Sequence, residues 1–95
     1  MPFTSSNPIV VQSDKTVLLE VQNDLYADAR DALARFAELE KSPEYIHTYR
    51  ITNLSLWNAA AAVLRSGDIL ASLERFSKYD IPGNIRVDIP EIISR

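Results

Sequence analysis

The stretch that decides the fold is HTYRITNLSLWNA, residues 47–59, where a strand pattern changes into a helix pattern. The residues around its first half are rich in β-branched and aromatic side chains, which predicts a strand over Tyr45–Ile51. Thr52 has a hydroxyl of the kind that caps helices, and it predicts a helix from Asn53 to about Leu64. Helical spacing predicts that this helix buries a stripe made of Leu54, Trp57, Ala61 and Leu64.

A hairpin and a long helix are predicted before this stretch. Ile9–Gln12 and Thr16–Val21 are rich in aliphatic and β-branched side chains, and the polar segment 13–15 between them predicts a turn. A helix is predicted over Asp24–Lys41, because apolar residues recur along one stripe until Ser42-Pro43 ends it. The stripe consists of Leu25, Ala29, Ala32, Leu33, Phe36, Ala37 and Leu39, and the face assigned to solvent carries Asp28, Asp31, Arg35 and Glu38.

Two further helices are predicted after the stretch. Ser66 predicts the start of a helix over about Gly67–Tyr79, and Pro82 suits the first position of a last helix. Pro90 removes a backbone donor inside that helix, so we expect either a break near Asp88 or a short final helix that begins at Pro90. The predicted buried residues of these helices are Ile69, Leu70, Leu73, Phe76, Ile85, Ile89 and Ile92.

Together these elements predict an α+β fold in the order β-β-α-β-α-α-α, with a short antiparallel sheet packed against helices. At 95 residues the chain is long enough for one domain with a modest core. We predict a flexible leader over residues 1–7 and a single domain over residues 8–95.

The composition limits the cellular compartment and the kinds of covalent and metal site that we expect for this chain. The chain has no cysteine, which excludes disulfides and zinc-thiolate sites. Its first seven residues lack the basic start and the apolar core of a signal peptide, and no apolar run is long enough to cross a membrane. These features predict a cytoplasmic protein with no membrane partner.

Charge is distributed unevenly along the chain, whose net charge is −3. Residues 1–44 hold four Lys or Arg against eight Asp or Glu, a balance of −4, whereas residues 45–95 hold six against five, a balance of +1. Because phosphate contacts require clustered Lys and Arg, any binding of DNA should use the second half and should be weak and salt-sensitive.

The residues offer no set of groups for catalysis. His47 is the only histidine, so we expect no histidine-carboxylate or multi-histidine metal site within one chain. Gly67 and Gly83 are the only glycines, and no glycine-rich phosphate loop is present. We predict no catalytic residue, no metal and no cofactor; for His47 we favour packing in the strand over a pH-sensitive contact.

Four basic residues are candidates for contact with nucleic acid: Arg50, Arg65, Arg75 and Lys78. The two helices that follow Thr52 are joined by a short turn, as in a helix-turn-helix, and Arg75 and Lys78 would share one face of the second helix. The alternative role of these cations is solubility. Trp57 and Tyr49 are candidates for stacking on a base, but the apolar pattern favours their burial.

Three segments in this order resemble bacterial XPB-type DNA repair helicases: IVVQSDKTVLLEV (residues 9–21), ARDALARFAELEKSPE (residues 29–44) and the opening stretch, residues 47–59. The resemblance covers roughly residues 8–89 and points to the N-terminal domain of that family. It implies a DNA-dependent ATPase of helicase superfamily two, in which this domain precedes the motor and helps to engage DNA.

The resulting prediction is a non-catalytic accessory domain that contacts DNA, the helicase motor in cis or in trans, or both. The chain itself is predicted not to be an enzyme, because it lacks the motifs of the motor. The alternative is a protein-interaction or structural domain that does not bind DNA and that associates with a partner or with itself. The oligomeric state is left open by the sequence.

Overall fold

The computed structural model describes residues 6–94, which begin with the predicted hairpin. Strand β1 (Ile9–Val11) pairs antiparallel with β2 (Thr16–Glu20). Lys15 closes the turn with φ 71°, in the left-handed region that three-residue hairpin loops use. The amide N–H of Gln12 donates a hydrogen bond of 2.8 Å to the carbonyl of Thr16. The hairpin is therefore confirmed.

The predicted helix over Asp24–Lys41 is wrong at its end. Helix α1 spans Tyr26–Ala34, and a strand that was not predicted, β3 (Glu38–Lys41), follows it. Glu and Lys favour helices, but pairing with a neighbouring strand outweighs this weak preference. Leu39, predicted to be buried, is 53% exposed on the new strand.

Strand β4 (Ile46–Arg50) is the predicted third strand, and it lies in the middle of the sheet. The strand order is β1-β2-β4-β3 with antiparallel pairing throughout. A row of side chains from Val11, Val17 and Tyr49 lies on the face that is covered by helices, and each of the three is buried. The sheet thus has one face in the core, whereas its other face mixes apolar and polar side chains and carries Val10 and Leu18, both half-buried, beside Thr48.

Helix α2 (Asn53–Ala61) begins where it was predicted to begin. The hydroxyl of Thr52 accepts from the backbone N–H of Ser55 at 2.9 Å, and the hydroxyl of Ser55 accepts from the N–H of Thr52 at 2.9 Å. The predicted buried stripe is right for Leu64, just after the helix, but wrong for Leu54, Trp57 and Ala61, because the helix is rotated about its axis. It buries Ser55, Leu56 and Ala59, while Leu54 and Trp57 are 57% and 46% exposed.

Helix α3 (Ser66–Phe76) and helix α4 (Gly83–Ile93) complete the fold. In α3, Ile69, Leu73 and Phe76 are buried as predicted. The expected break in α4 is absent: Pro90 lies inside a continuous helix. Packing explains this, since the helix buries isoleucines on both sides of the proline, and each contributes roughly 1.5–3 kcal/mol. These isoleucines are Ile85, Ile89 and Ile92.

The α+β class with an antiparallel sheet against helices is confirmed, and the predicted elements keep their order with β3 added after α1. One core joins the inner face of the sheet to all four helices. Residues 1–5 of the predicted leader lie outside the described residues. Asn7, at the leader's end, is buried and donates to the carbonyl of Ser77 at 2.8 Å.

Candidate nucleic-acid interface

The four predicted DNA-contacting cations do not form one cluster. Arg50 pairs with Thr16 at one end of β2, whereas the ammonium of Lys78 contacts Glu20 at the other end. Five residues of strand separate these ends by about 13 Å. Arg65 and Arg75 lie at opposite ends of α3, about 15 Å apart along its axis.

Two of the four cations are held by carboxylates. The guanidinium of Arg50 lies 3.6 Å from Glu40 of β3, and Nζ of Lys78 lies 2.8 Å from Glu20. The side chain of Lys78 is only 15% exposed. Lys78 also lies beyond the end of α3, so the predicted shared helix face with Arg75 is wrong. Both cations would have to leave a partner in order to meet a phosphate.

The other two cations lie on α3. Among residues 6–94, Arg65 and Arg75 form no ion pair. Arg75 is in the last turn of the helix, where the dipole favours a cation, and its guanidinium lies 5.0 Å from the centre of the Phe76 ring. Arg65 precedes the first turn, and its backbone N–H donates to a carboxylate oxygen of Asp68 at 3.1 Å.

A groove runs between α1 and α3, and it adds a cation that the sequence did not single out. Its two adjoining parts have volumes of about 500 Å³ and about 350 Å³, and both are lined by Arg35, Ser72 and Arg75. The sequence predicts Arg35 on the solvent face of a longer helix. No sequence signal could have joined it to Arg75, because forty residues separate them and only tertiary packing brings the helices together.

Carboxylates balance the charge of this groove. Asp28 and Asp31 line one part and Asp68 lines the other, which gives three negative groups against two arginines. Asp31 is already paired with Arg30 at 3.3 Å. The groove, which includes Arg75, therefore has no excess positive charge, and its lining does not favour the binding of a phosphate within it.

The two stacking candidates have different environments. Tyr49 is buried in β4, and this burial raises the pKa of its phenol. Trp57 leaves nearly half of its surface exposed, and its indole N–H donates to the carbonyl of Ile92 at 3.1 Å. Only Trp57 presents a ring to a partner.

His47 packs within the sheet, as favoured from the sequence. Its ring lies 5.7 Å from that of Tyr26 in an edge-to-face arrangement, and its Nδ1 atom is buried without a hydrogen-bond partner. No group of three metal-ligating side chains occurs among residues 6–94. None of the helices in that range is long and apolar enough to span a membrane.

Comparison with known proteins identifies the family. A model described as the helicase conserved C-terminal domain matches residues 9–95, nearly the whole chain. The chain belongs to this helicase domain family. That description gives no support to the predicted N-terminal placement within the helicase.

The relatives are XPB-type helicases. The DNA 3'-5' helicase XPB of Mycobacterium tuberculosis is 50% identical over 91 residues, and the corresponding protein of Kineococcus radiotolerans is 46% identical over 91 residues. Each match covers 96% of this chain but only 17% and 16% of the relative. A more distant relative, the general transcription and DNA repair factor IIH helicase/translocase subunit XPB of Schizosaccharomyces pombe, is 40% identical over 79 residues, covering 83% of this chain and 9% of that protein.

These matches correct one prediction and support another. The prediction that the chain is not an enzyme is wrong at the level of the family, because the chain belongs to a helicase family and matches proteins named as helicases. The resemblance to XPB-type helicases is confirmed. The chain spans about a sixth of the length of these bacterial relatives, so it corresponds to one segment of such a protein.

Proposed function

We propose that this chain is the segment of an XPB-type DNA repair helicase that contacts DNA and the helicase motor. The observation that carries the proposal is the 50% identity to the M. tuberculosis helicase over 96% of the chain. The proposal includes the role of an accessory domain, placed before the motor as the resemblance implies, and a cytoplasmic location.

The charge distribution supports contact through α3. Arg65 and Arg75 are the positively charged residues at the two ends of this helix, and neither has a carboxylate partner among the described residues. Arg50 and Lys78 belong to the proposed contact as well, but each is ion-paired and should contribute less. A surface with few available cations predicts weak binding, which suits a domain that is tethered to a motor.

The test is fluorescence anisotropy of labelled single-stranded, duplex and forked DNA titrated with the 95-residue chain at low and moderate salt. We expect saturable binding that weakens as salt rises, because phosphate contacts release counterions. Changing both Arg65→Ala and Arg75→Ala should reduce the slope of log K against log salt by about 2, since two phosphate contacts are lost.

Arg30→Ala is the matched control. It removes one exposed arginine that already pairs with Asp31 and lies outside α3, so affinity for DNA should stay within about twofold of the unchanged chain. Absence of binding at low salt would overturn DNA contact by this segment. Because the control removes one positive charge and the α3 variant removes two, a reduction of the salt slope half as large in the control would show that net charge, and not α3, governs binding.

A second candidate function, contact with protein without contact with DNA, is favoured by the exposed face of α2. Leu54 and Trp57 are large apolar side chains left in solvent on a helix that carries no charge. This candidate would be favoured if the chain did not bind DNA but did bind the helicase motor.

A further inference from the structure

The outward face of α2 and the turn after it form an uncharged surface. From Ile51 to Leu64 the sequence has no Asp, Glu, Lys or Arg, in a chain where 24% of residues are charged. We call this surface the α2 face, and its exposed members are Leu54, Trp57, Asn58, Ala61, Ala62 and Val63. Charged residues are depleted and aromatic residues enriched at the centres of protein interfaces, which matches this composition.

The turn within the α2 face is strained and solvent-exposed. Val63 has φ 68° and is 84% exposed, although β-branched residues strongly disfavour this conformation. The backbone is held there by two hydrogen bonds of a Schellman turn, from Val63 N–H to Ala60 and from Leu64 N–H to Ala59, each 3.0 Å. In this conformation the apolar side chain of Val63 lies in solvent and not in the core.

Trp57 is fixed in position on this face. Its bond to the Ile92 carbonyl anchors the indole against α4 while nearly half of the residue stays exposed. A large side chain that is already ordered loses little entropy when a partner covers it, which is a property of binding hot spots.

The size and the charge of the α2 face decide what covers it. A nine-residue helix is about 14 Å long and roughly 10 Å wide, so one face offers on the order of 150 Å² in projection, whereas each partner of a free complex buries roughly 800 Å². The residues of the face supply no cation of their own, and among the described residues cations border it only at Val63, where Arg35, Arg65 and Arg75 line the adjoining surface, so its centre at Leu54 and Trp57 favours an apolar partner over phosphate. A small apolar contact gives stable binding only when the partner is tethered to the domain in the same polypeptide, because the effective concentration of such a partner reaches about millimolar.

We propose that the α2 face docks onto an uncharged apolar surface elsewhere in the same helicase polypeptide. This inference rests on the proposed function, under which the chain is about a sixth of a longer protein, as in its bacterial relatives. The contact fixes the orientation of α3, and with it Arg65 and Arg75, relative to the rest of that polypeptide.

The experiment uses a chimera of the full-length M. tuberculosis helicase in which the 91 matched residues are replaced by those of this chain. The photoreactive residue p-benzoylphenylalanine replaces Leu54 in one version and Val87 in another. Val87 is 63% exposed on α4, between the charged Arg86 and Asp88, and serves as the control position. Irradiated protein is digested and its crosslinks are mapped by mass spectrometry.

We expect position 54 to crosslink to residues of the same polypeptide outside the inserted domain, with a yield several-fold higher than position 87. Adding Ala61→Lys should reduce that yield several-fold, because it places a charge in the contact. The matched Ala27→Lys, at an exposed position of α1 outside the face, should not. Melting curves of the 95-residue chain with each lysine should be unchanged, since both alanines are exposed.

Crosslinks from position 54 only to a second copy or only to DNA would overturn the docking inference, as would equal yields at the two positions. Unwinding of DNA by the unlabelled chimera, compared with the M. tuberculosis protein, reports separately on the proposed function. Retained unwinding without the crosslink refutes the docking alone. Lost unwinding in a chimera that still shows the crosslink counts against the proposed function.

Discussion

Trp57 and Ile92 are joined by a hydrogen bond of 3.1 Å between the indole N–H and the backbone carbonyl, and this bond ties α2 to the last turn of α4. Carbonyls at the end of a helix lack partners within the helix, so the indole satisfies one of them. The backbone N–H of Ser94, which follows α4, donates to the Pro90 carbonyl at 3.1 Å. The sequence offered no sign of this contact, since thirty-five residues separate the two.

Replacing Trp57→Phe should destabilise the domain by about 0.5–1.5 kcal/mol, because the hydrogen bond is lost while an aromatic ring remains. The measurement is the midpoint of urea unfolding followed by circular dichroism. Tyr79→Phe, at another exposed aromatic residue, is the control and should change stability by less than about 0.5 kcal/mol. An unchanged midpoint for Trp57→Phe would contradict a structural role for this bond.

Val63→Gly should stabilise the domain by about 1 kcal/mol. The left-handed conformation costs valine roughly 1–2 kcal/mol, and glycine adopts it freely at an entropic cost of about 0.5–1 kcal/mol. Val87→Gly is the control, and its effect on stability should have the opposite sign. It replaces another exposed valine by glycine, but inside a helix, and should destabilise the domain by about 0.5–1 kcal/mol. Destabilisation by both changes would show that Val63 is not strained.

Pro90→Ala should raise stability by about 1–3 kcal/mol, since it restores a backbone donor and removes the ring from a helix interior. The readout is again the urea midpoint. Pro82→Ala is the control, because Pro82 precedes the first turn of α4, where proline is tolerated. A loss of stability in Pro90→Ala would mean that the ring itself contributes packing that an alanine cannot replace.

Leu33→Ala and Leu39→Ala distinguish the observed fold from the long helix that the sequence suggested. Leu33 is 2% exposed and should lose about 2–5 kcal/mol on truncation, whereas Leu39 should lose less than about 1 kcal/mol. Chemical denaturation of the two variants measures the difference. Equal losses would place Leu39 in the core and would restore the longer helix.

Acid should weaken the domain partly through Asp80. The guanidinium of Arg86, which also pairs with Glu74, holds the pKa of the Asp80 carboxyl below its ordinary value of 3.8. A lowered pKa in the folded state means that the contribution is present above about pH 3.8 and is lost as the pH falls through the folded value.

Urea midpoints between pH 7 and pH 2 test this effect. The difference in stability between the unchanged chain and Asp80→Asn should be constant above about pH 5 and should shrink below pH 4. Because Asp80 is exposed, the difference should be small, and it should decline further with salt. A difference that grows on acidification would have the wrong sign for a lowered pKa.

The sequence by itself determined the elements whose signals are local. Alternation and a polar turn specified the hairpin, and Thr52 specified the start of α2 through a cap that involves only its neighbour Ser55. The isoleucine and leucine spacing also identified the buried faces of α3 and α4. The family resemblance was carried by three segments of the sequence, residues 9–21, 29–44 and 47–59.

Only the tertiary structure decided the features that depend on distant neighbours. Residues 38–41 have helical preferences, but β4 offers a strand to pair with, and the pairing outweighs a few tenths of a kcal/mol per residue. Helix α2 could bury either of two stripes, and packing against α4 selected Leu56 and Ala59 and left Leu54 and Trp57 outside. The groove lined by both Arg35 and Arg75, and the ion pairs of Arg50 and Lys78, likewise join segments far apart in the chain. Local patterns fix where elements form, whereas the faces they expose are set by the partners against which they pack.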